Sequence, residues 1–223
     1  MSTPISDILL SAAREYMWML DHDYPQKASL KLVGDKFMLT RDMRQILYRG
    51  ISDSAHAEKR KIMVGPVQEG DLVLVDAYNV LFTIHNYLLG KPLFISNDGI
   101  LRDAGEMRGR IHNKPIFNRA VEIMLEVLQS WNGATFHLYL DEPVSFSGRL
   151  SIELSKDMMQ LGIEGEAWTV PSPDYTLKHE RSDAICTSDT AILDHYSGTV
   201  VDLPRVALKK SFQAEFPSLE LKG

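Results

Sequence analysis

The chain has 223 residues, 44% of them hydrophobic, enough apolar material for a folded core in one large domain or two smaller ones. Its formal charge of −6 argues against wrapping nucleic acid over the whole surface, although a local basic patch stays compatible with binding it. No apolar run approaches the roughly 18 residues that cross a bilayer, and the opening MSTPISDILLSAAREY has neither a basic n-region nor a cleavage-site pattern, so a cytoplasmic protein without a membrane partner is expected.

In the first part of the chain, Ile5, Ile8, Leu9, Ala12, Ala13, Tyr16, Met17 and Leu20 recur at three- and four-residue steps. With Thr3 as N-cap and Pro4 at the first helical position, this spacing predicts a helix that Tyr24-Pro25 breaks. KASLKLVGDKF reads as a second helix, and Thr40 as the cap of a third, RDMRQILYRG, that stops at Gly50. Together they predict a small helical domain over residues 1–65, where ten Lys or Arg against eight Asp or Glu give +2 and leave −8 for the remainder. EKRKIMVGPVQEGD, Glu58 to Asp71, carries a basic cluster and then Gly65-Pro66 and Gly70, the punctuation of a linker.

Residues 66–223 change rhythm. DLVLVD reads as a strand, and PLFISNDGILRD as two short β runs around the hairpin turn Asn97-Asp98-Gly99. NKPIFNRAVEIMLEVLQSW is a helix with Phe117, Ala120, Val121, Met124, Leu128 and Trp131 on one face. TFHLYLD is a strand, SGRLSIELSKDMMQLG an amphipathic helix, and EAWTVPSPD, AICTSD and GTVVDLP are further strands, with TAILDHYS a short helix between the last two. Strands separated by helices imply an α/β domain with a mainly parallel sheet flanked by helices, since parallel neighbours need crossovers of that length. The one cysteine, Cys186, lies in the apolar DAICTSD, where packing is expected rather than reactivity; an internal disulfide is impossible and a reducing compartment fits.

Four strands read as ending on a carboxylate: Asp76, Asp141, Asp174 and Asp189. In a parallel sheet those ends share one edge, the edge at which open α/β folds bind ligands. Like charges at about 4 Å repel by about 4 kcal/mol at an effective dielectric near 20, so such a cluster needs a counter-charge. Oxygen donors alone favour Mg²⁺ or Mn²⁺, and no Cys/His spacing suggests zinc. Each aspartate taken singly also reads as a helix N-cap, Asp189 before TAILDHY most of all. Asp183 opens the strand that Asp189 closes, which at about 3.3 Å per residue puts it roughly 20 Å away, at the opposite edge.

Asn79, one turn after Asp76, is placed to orient a carboxylate or a metal-bound water, or serves the helix alone. Thr187 and Ser188 offer hydroxyls to a phosphate, or only cap the next helix. Ser145, Ser147 and Arg149 of SFSGR stand at a helix N-terminus, a setting that suits an anion. Arg102, Arg108, Arg110, Lys114 and Arg119 make the stretch before the long helix basic, either a solvated face or the surface an acidic site needs beside it for an anionic polymer. Arg41, Arg44 and Arg49, with Lys59-Arg60-Lys61, are equally open to either reading.

With a first strand ending in VDAYN, a later one in YLD, a late SPD segment and the T-S-D of ICTSDTAIL, residues 70–205 resemble the PIN-like superfamily and, within it, the NYN-type ribonucleases. The whole chain, including LKLVGDKFMLTRDMRQILYRG, also resembles a prokaryotic two-domain family of unknown function. The superfamily resemblance implies a metal-dependent endoribonuclease acting on RNA, with Asp76, Asp141, Asp174 and Asp189 as ligands of Mg²⁺ or Mn²⁺. Many members place a helix between their third and fourth acids, where here only Tyr175 to Ser188 intervene, so Asp174 and Asp183 compete for the third place. On this reading Asp76, Asp141 and Asp189, with Asn79, are catalytic, and Thr187, Ser188, Ser145, Ser147, Arg149 and Arg102 contact substrate. The runner-up is a non-catalytic module of the same fold that binds RNA or protein. A haloacid-dehalogenase-like phosphatase needs a second aspartate two residues after the first, where this chain has Tyr78.

Overall fold

A computed structural model of the chain describes residues 5–104, 114–144, 146–219 and 221. Four helices come first: α1 (Asp7–Asp21), α2 (Gln26–Lys36), α3 (Arg41–Gly50) and α4 (Ser54–Met63). Thr40 caps α3 as expected, its Oγ1 accepting the Met43 N–H. At α1, Ser6 accepts the Leu9 N–H and caps the helix; Thr3 and Pro4, expected to start it, lie outside the described residues. Glu58–Asp71 is not all linker: Asp53 accepts the His56 N–H and starts α4, whose run of good helix formers continues to Met63. The first three helices bury Leu9, Ala13, Tyr16, Val33, Ile46 and Leu47 together, and Phe94 and Leu219 from far along the chain complete that cluster. Gly50 makes room for them, since a Cβ there would meet the Phe94 ring at 2.4 Å and Leu219 at 2.7 Å.

The rest alternates: β1 (Leu72–Asp76), α5 (Ala77–Leu88), the antiparallel hairpin β2 (Leu93–Ile95) and β3 (Leu101–Asp103), α6 (Lys114–Ser130), β4 (Thr135–Asp141), α7 (Ser147–Leu161) and β5 (Glu164–Val170). It ends with α8 (Pro173–His179), β6 (Ala184–Cys186), α9 (Thr190–Leu193), β7 (Thr199–Val200) and α10 (Leu203–Phe212). The large sheet is parallel throughout, in the order β5-β4-β1-β6-β7. Alternation along each strand sorts the side chains to two faces. Val73, Val75, Leu138 and Cys186 face α5, α6, α7 and α10, while Leu74, Tyr139, Ile185 and Val200 face α8 and α9. Cys186 is thus core, and burial pushes its thiol far up from the ordinary value.

Three further differences from the sequence reading are local. WTVPSPD is not one strand: β5 stops at Val170 and Pro173 begins α8, with Ser172 accepting the Tyr175 N–H as its cap. Asp174 thus lies in the first turn of α8, the rest of which separates it from Asp189; and AICTSD is a strand only to Cys186, so Asp189 does not close β6 but caps α9. GTVVDLP is a strand only over Thr199–Val200; Asp202 accepts the Arg205 N–H and starts α10, so Leu203 and Pro204 are helical.

A buried ionic cluster joins the helical region to the sheet. Asp98, in the hairpin turn, is 0% exposed and accepts two hydrogen bonds from Arg102 at 2.7 and 2.8 Å and one from Arg60 of α4 at 3.2 Å. Arg60 also pairs with Asp194 at 2.6 Å and donates to Ser52 Oγ at 2.7 Å, so two guanidinium groups meet two carboxylates. Burial alone would raise the Asp98 pKa, but Arg102, Ser96 and Arg60 outweigh it and hold the carboxyl at about 2. A depressed folded value means that the contribution is complete above pH 3.8 and disappears as pH falls toward 2. Asp98→Asn leaves two buried guanidinium groups short of a counter-charge and is expected to cost about 3–5 kcal/mol in urea unfolding at pH 7; a loss under about 1 kcal/mol would show the cluster to be replaceable.

Candidate active site

The strand order reverses at β1. Its neighbours β4 and β6 are followed by helices on opposite faces, α7 with α5 on one and α9 on the other, which opens a crevice at the carboxyl ends of β1 and β6. Reversal points of this kind are where open α/β sheets receive ligands. Asp76 closes β1 at this crevice and is 7% exposed. Its Oδ1 accepts the Asn79 N–H at 3.3 Å, capping α5, and its Oδ2 accepts the Thr187 hydroxyl across the crevice at 3.0 Å. Asn79 returns the link, its Oδ1 accepting both the Ser188 N–H at 3.0 Å and the Ser188 hydroxyl at 3.1 Å. The cap reading and the site reading of Asp76 thus hold together: the cap fixes where the carboxylate stands.

Asp141 ends β4, the other neighbour of β1. Asp174 lies in the first turn of α8, and Asp189 caps α9 by accepting the Ala191 N–H at 2.7 Å. Asp183 is elsewhere: its carboxylate accepts the N–H of Leu72, the first residue of β1, at the far edge of the sheet.

Electrostatics connects the four acids. The Asp76 carboxyl is pushed up to about 7, first by burial and then by the charges of Asp141 and Asp174, against the opposing donors Asn79 and Thr187. Asp141 is raised by burial and by Asp174; Asp174 is raised by burial and by Asp189, with Lys178 working against them. Among the described residues, no three carboxylate, imidazole or thiolate groups already stand close enough to cage one metal ion.

Beside the crevice lies a polar pocket of about 270 Å³. Asn79, Ser188 and Asp189 line it from the sheet side, and Gln26, Tyr48 and Arg49 from the helical region. Arg102 also lines it, but all five of its N–H donors are engaged: two on Asp98, one on Ser96 Oγ and two on the Ser188 carbonyl at 3.3 and 3.2 Å. It therefore positions the Thr187–Ser188 turn and has no donor to offer a substrate. Arg49 reaches Asp103 at 3.0 Å, and Arg44 of the same helix is tied to Asp35 and the Leu39 carbonyl.

The other expected substrate contacts scatter. Ser145, Arg108 and Arg110 lie outside the described residues. Ser147 is buried and donates to the Glu142 carbonyl at 3.2 Å, whereas Arg149 is exposed and pairs with Glu153 at 2.7 Å. Arg119 is engaged with Glu122 and Glu126 on the surface of α6. Among the described residues, no helix is long and apolar enough to cross a membrane.

Residues 67–206 match the family described as Domain of unknown function (DUF5616), and the chain belongs to that family. Residues 8–62 match a second, Protein of unknown function (DUF434). The two segments meet between residues 62 and 67, where α4 ends. A relative, Uncharacterized protein MJ0935 of Methanocaldococcus jannaschii, is 26% identical over 184 residues, 82% of this chain and 87% of its own. No solved structure matches.

Because the folded pKa of Asp76 is raised, its proton is bound more tightly in the folded protein. That contribution is intact below pH 3.8 and is lost as pH rises through about 7, at a cost of about 4 kcal/mol for the fully ionised form. Asp76→Asn is therefore expected to stabilise the protein at pH 8 in EDTA by roughly 2–4 kcal/mol, with the gain vanishing near pH 4. Equal unfolding midpoints for the two proteins at pH 8 would contradict the assignment.

Proposed function

We propose that the protein is a metal-dependent endoribonuclease of the PIN-like, NYN-type class, acting on RNA in the cytoplasm. The observation that carries this reading is the setting of Asp76: an aspartate at a strand-order reversal, buried, and raised to about 7 by burial and by two further aspartates. A divalent cation would offset the repulsion among these carboxylates. The donor set is all oxygen and carries up to four negative charges, which suits Mg²⁺ or Mn²⁺ over softer metals.

In this reading Asp76, Asp141 and Asp189 hold the ion and Asp174 is the further carboxylate. Mg²⁺ or Mn²⁺, once bound, supplies charge neutralisation and activation of water at neutral pH. The chain's own contribution is placement. Thr187 and the Asn79 N–H fix the Asp76 carboxylate, and Arg102 grips the Ser188 carbonyl so that the turn bearing Asp189 keeps its register with Asn79. The reaction is phosphodiester hydrolysis. Water adds at phosphorus, the ester bond to the leaving oxygen breaks, that oxygen takes up a proton, and no protein nucleophile is consumed. In this reading the polar pocket lined by Asn79, Ser188 and Asp189 receives a phosphate of the substrate.

A non-catalytic module that binds RNA or protein is the second reading. It is favoured by the absence, among the described residues, of three ligands already gathered for one ion, and by the use of both Asp76 oxygens in hydrogen bonds within the chain.

Purified protein incubated with mixed single-stranded RNAs and Mn²⁺ separates the two. The hydrolase reading expects cleavage that falls at least about a hundredfold in Asp76→Asn and in Asp189→Asn, as removal of a group acting on the transition state does. Equal cleavage by all three proteins marks a contaminant. No cleavage, together with no Mn²⁺-dependent rise in unfolding temperature, selects the binding module.

A further inference from the structure

The same edge of the sheet carries a second cavity, of about 340 Å³, on the β4 side of Asp76. Tyr78 lines it from the first turn of α5, Lys114 and Phe117 from the first turn of α6, Phe146 from the residue before α7, and Arg149 and Glu153 from α7. Three of its lining residues, Tyr78, Phe117 and Phe146, are aromatic. Two features make it unlike an ordinary gap between helices. Tyr78 is 4% exposed, yet its hydroxyl has no hydrogen-bond partner among the described residues, and a buried hydroxyl left in that state is costly unless something arriving in the cavity pairs with it. Phe146 is 82% exposed and held at φ 70°, a left-handed conformation that a bulky side chain adopts only when its surroundings impose it. An aromatic ring is thus kept out of the core at a cavity that Tyr78 and Phe117 also line.

We propose that this cavity is a subsite for one unpaired nucleobase of a single-stranded RNA, with Phe146 stacking on the base, the Tyr78 hydroxyl bonding its polar edge, and Lys114 and Arg149 meeting the adjoining phosphate. The identity of the polymer rests on the hydrolase reading above; the subsite rests on the cavity. A flat ring with a polar rim satisfies both the aromatic walls and the orphan hydroxyl, which an apolar side chain from a protein partner would leave unpaired. Charge agrees, because Lys114 and Arg149 line the cavity with one carboxylate, Glu153, which pairs with Arg149 at 2.7 Å and leaves a net positive lip. Position agrees as well. Tyr78 and Asn79 are consecutive, one lining this cavity and the other the polar pocket, and the charge of Asp141 reaches Tyr78. A strand that enters both pockets crosses the first turn of α5, the turn that Asp76 caps.

The test uses the full chain in EDTA, with RNA strands of about twelve nucleotides carrying one fluorescent purine analogue, and with an abasic strand of equal length. Wild-type protein is expected to quench the analogue and to bind the RNA about tenfold or more tightly than the abasic strand; Phe146→Ala, a change at an exposed position that leaves the core alone, loses both the quenching and that margin. Tyr78→Phe keeps the quenching but alters the ranking of the four homopolymers. Equal binding of RNA and abasic strand by the wild type, or undiminished quenching by Phe146→Ala, overturns the subsite. Cleavage in Mn²⁺ is scored separately. Quenching without cleavage retains the subsite and removes the hydrolase, whereas cleavage without quenching does the reverse.

Discussion

One buried carboxylate holds the working parts of this protein in register. Asp98 sits in a hairpin turn with no exposed surface, between Arg102 of its own hairpin and Arg60 of the helical region. An unpaired charge in that position would cost several kcal/mol, so the turn, the hairpin and α4 are each constrained to where the charges balance. The constraint extends further through Arg102, whose remaining donors fix the Ser188 carbonyl, and through Ser188 to Asn79 and the cap of α5. A chain of polar contacts therefore runs from α4 to the end of β1.

Set against Asp98, Asp76 shows why the sheet edge reads as a functional site. Both carboxylates are buried, but guanidinium groups bring one down to about 2 while burial and neighbouring aspartates drive the other up to about 7. The fold can evidently satisfy a buried acid where it needs a joint. At the reversal of the strand order it instead gathers like charge, at a cost in stability. Carboxylates whose proton affinity is displaced in this way cluster at sites that handle charge. The helical region contributes to the same place, since Tyr48 and Arg49 of α3 and Gln26 of α2 wall the polar pocket opposite Asp189.

Much of the fold was legible because its signals are local. Apolar runs such as LVLV and LYL have no other place than a central parallel strand, and Asn97-Asp98-Gly99 reads as the hairpin turn it forms. Strand direction alone placed Asp76 and Asp141 at the ends of β1 and β4 and Asp183 at the other edge, whereas Asp174 and Asp189, read as strand ends, stand at the starts of the helices that follow. Other elements depended on competition between signals. Gly65-Pro66 and Gly70 spoke for a linker and hid α4, whose helix formers and Asp53 cap precede them; two prolines in VPSPD masked the start of α8, where Pro173 is a favoured first residue. Least legible was what depends on tertiary pairing. Nothing in the spacing of Arg102 tells a phosphate-binding arginine from one whose every donor is spent on Asp98, Ser96 and Ser188, and nothing in α3 announces that Arg49 will face Asp189 across a pocket.

The central claim is that Asp76, Asp141 and Asp189 share one counter-ion at the carboxyl end of the sheet. Crystals soaked in Mn²⁺ and measured at the manganese absorption edge address it without reference to any substrate. The account predicts an anomalous peak at the β1/β6 crevice, about 2 Å from carboxylate oxygens of at least two of these residues. Saturating Mn²⁺ that leaves this edge without a peak, with Asp76 still bonded only to Asn79 and Thr187, would contradict it.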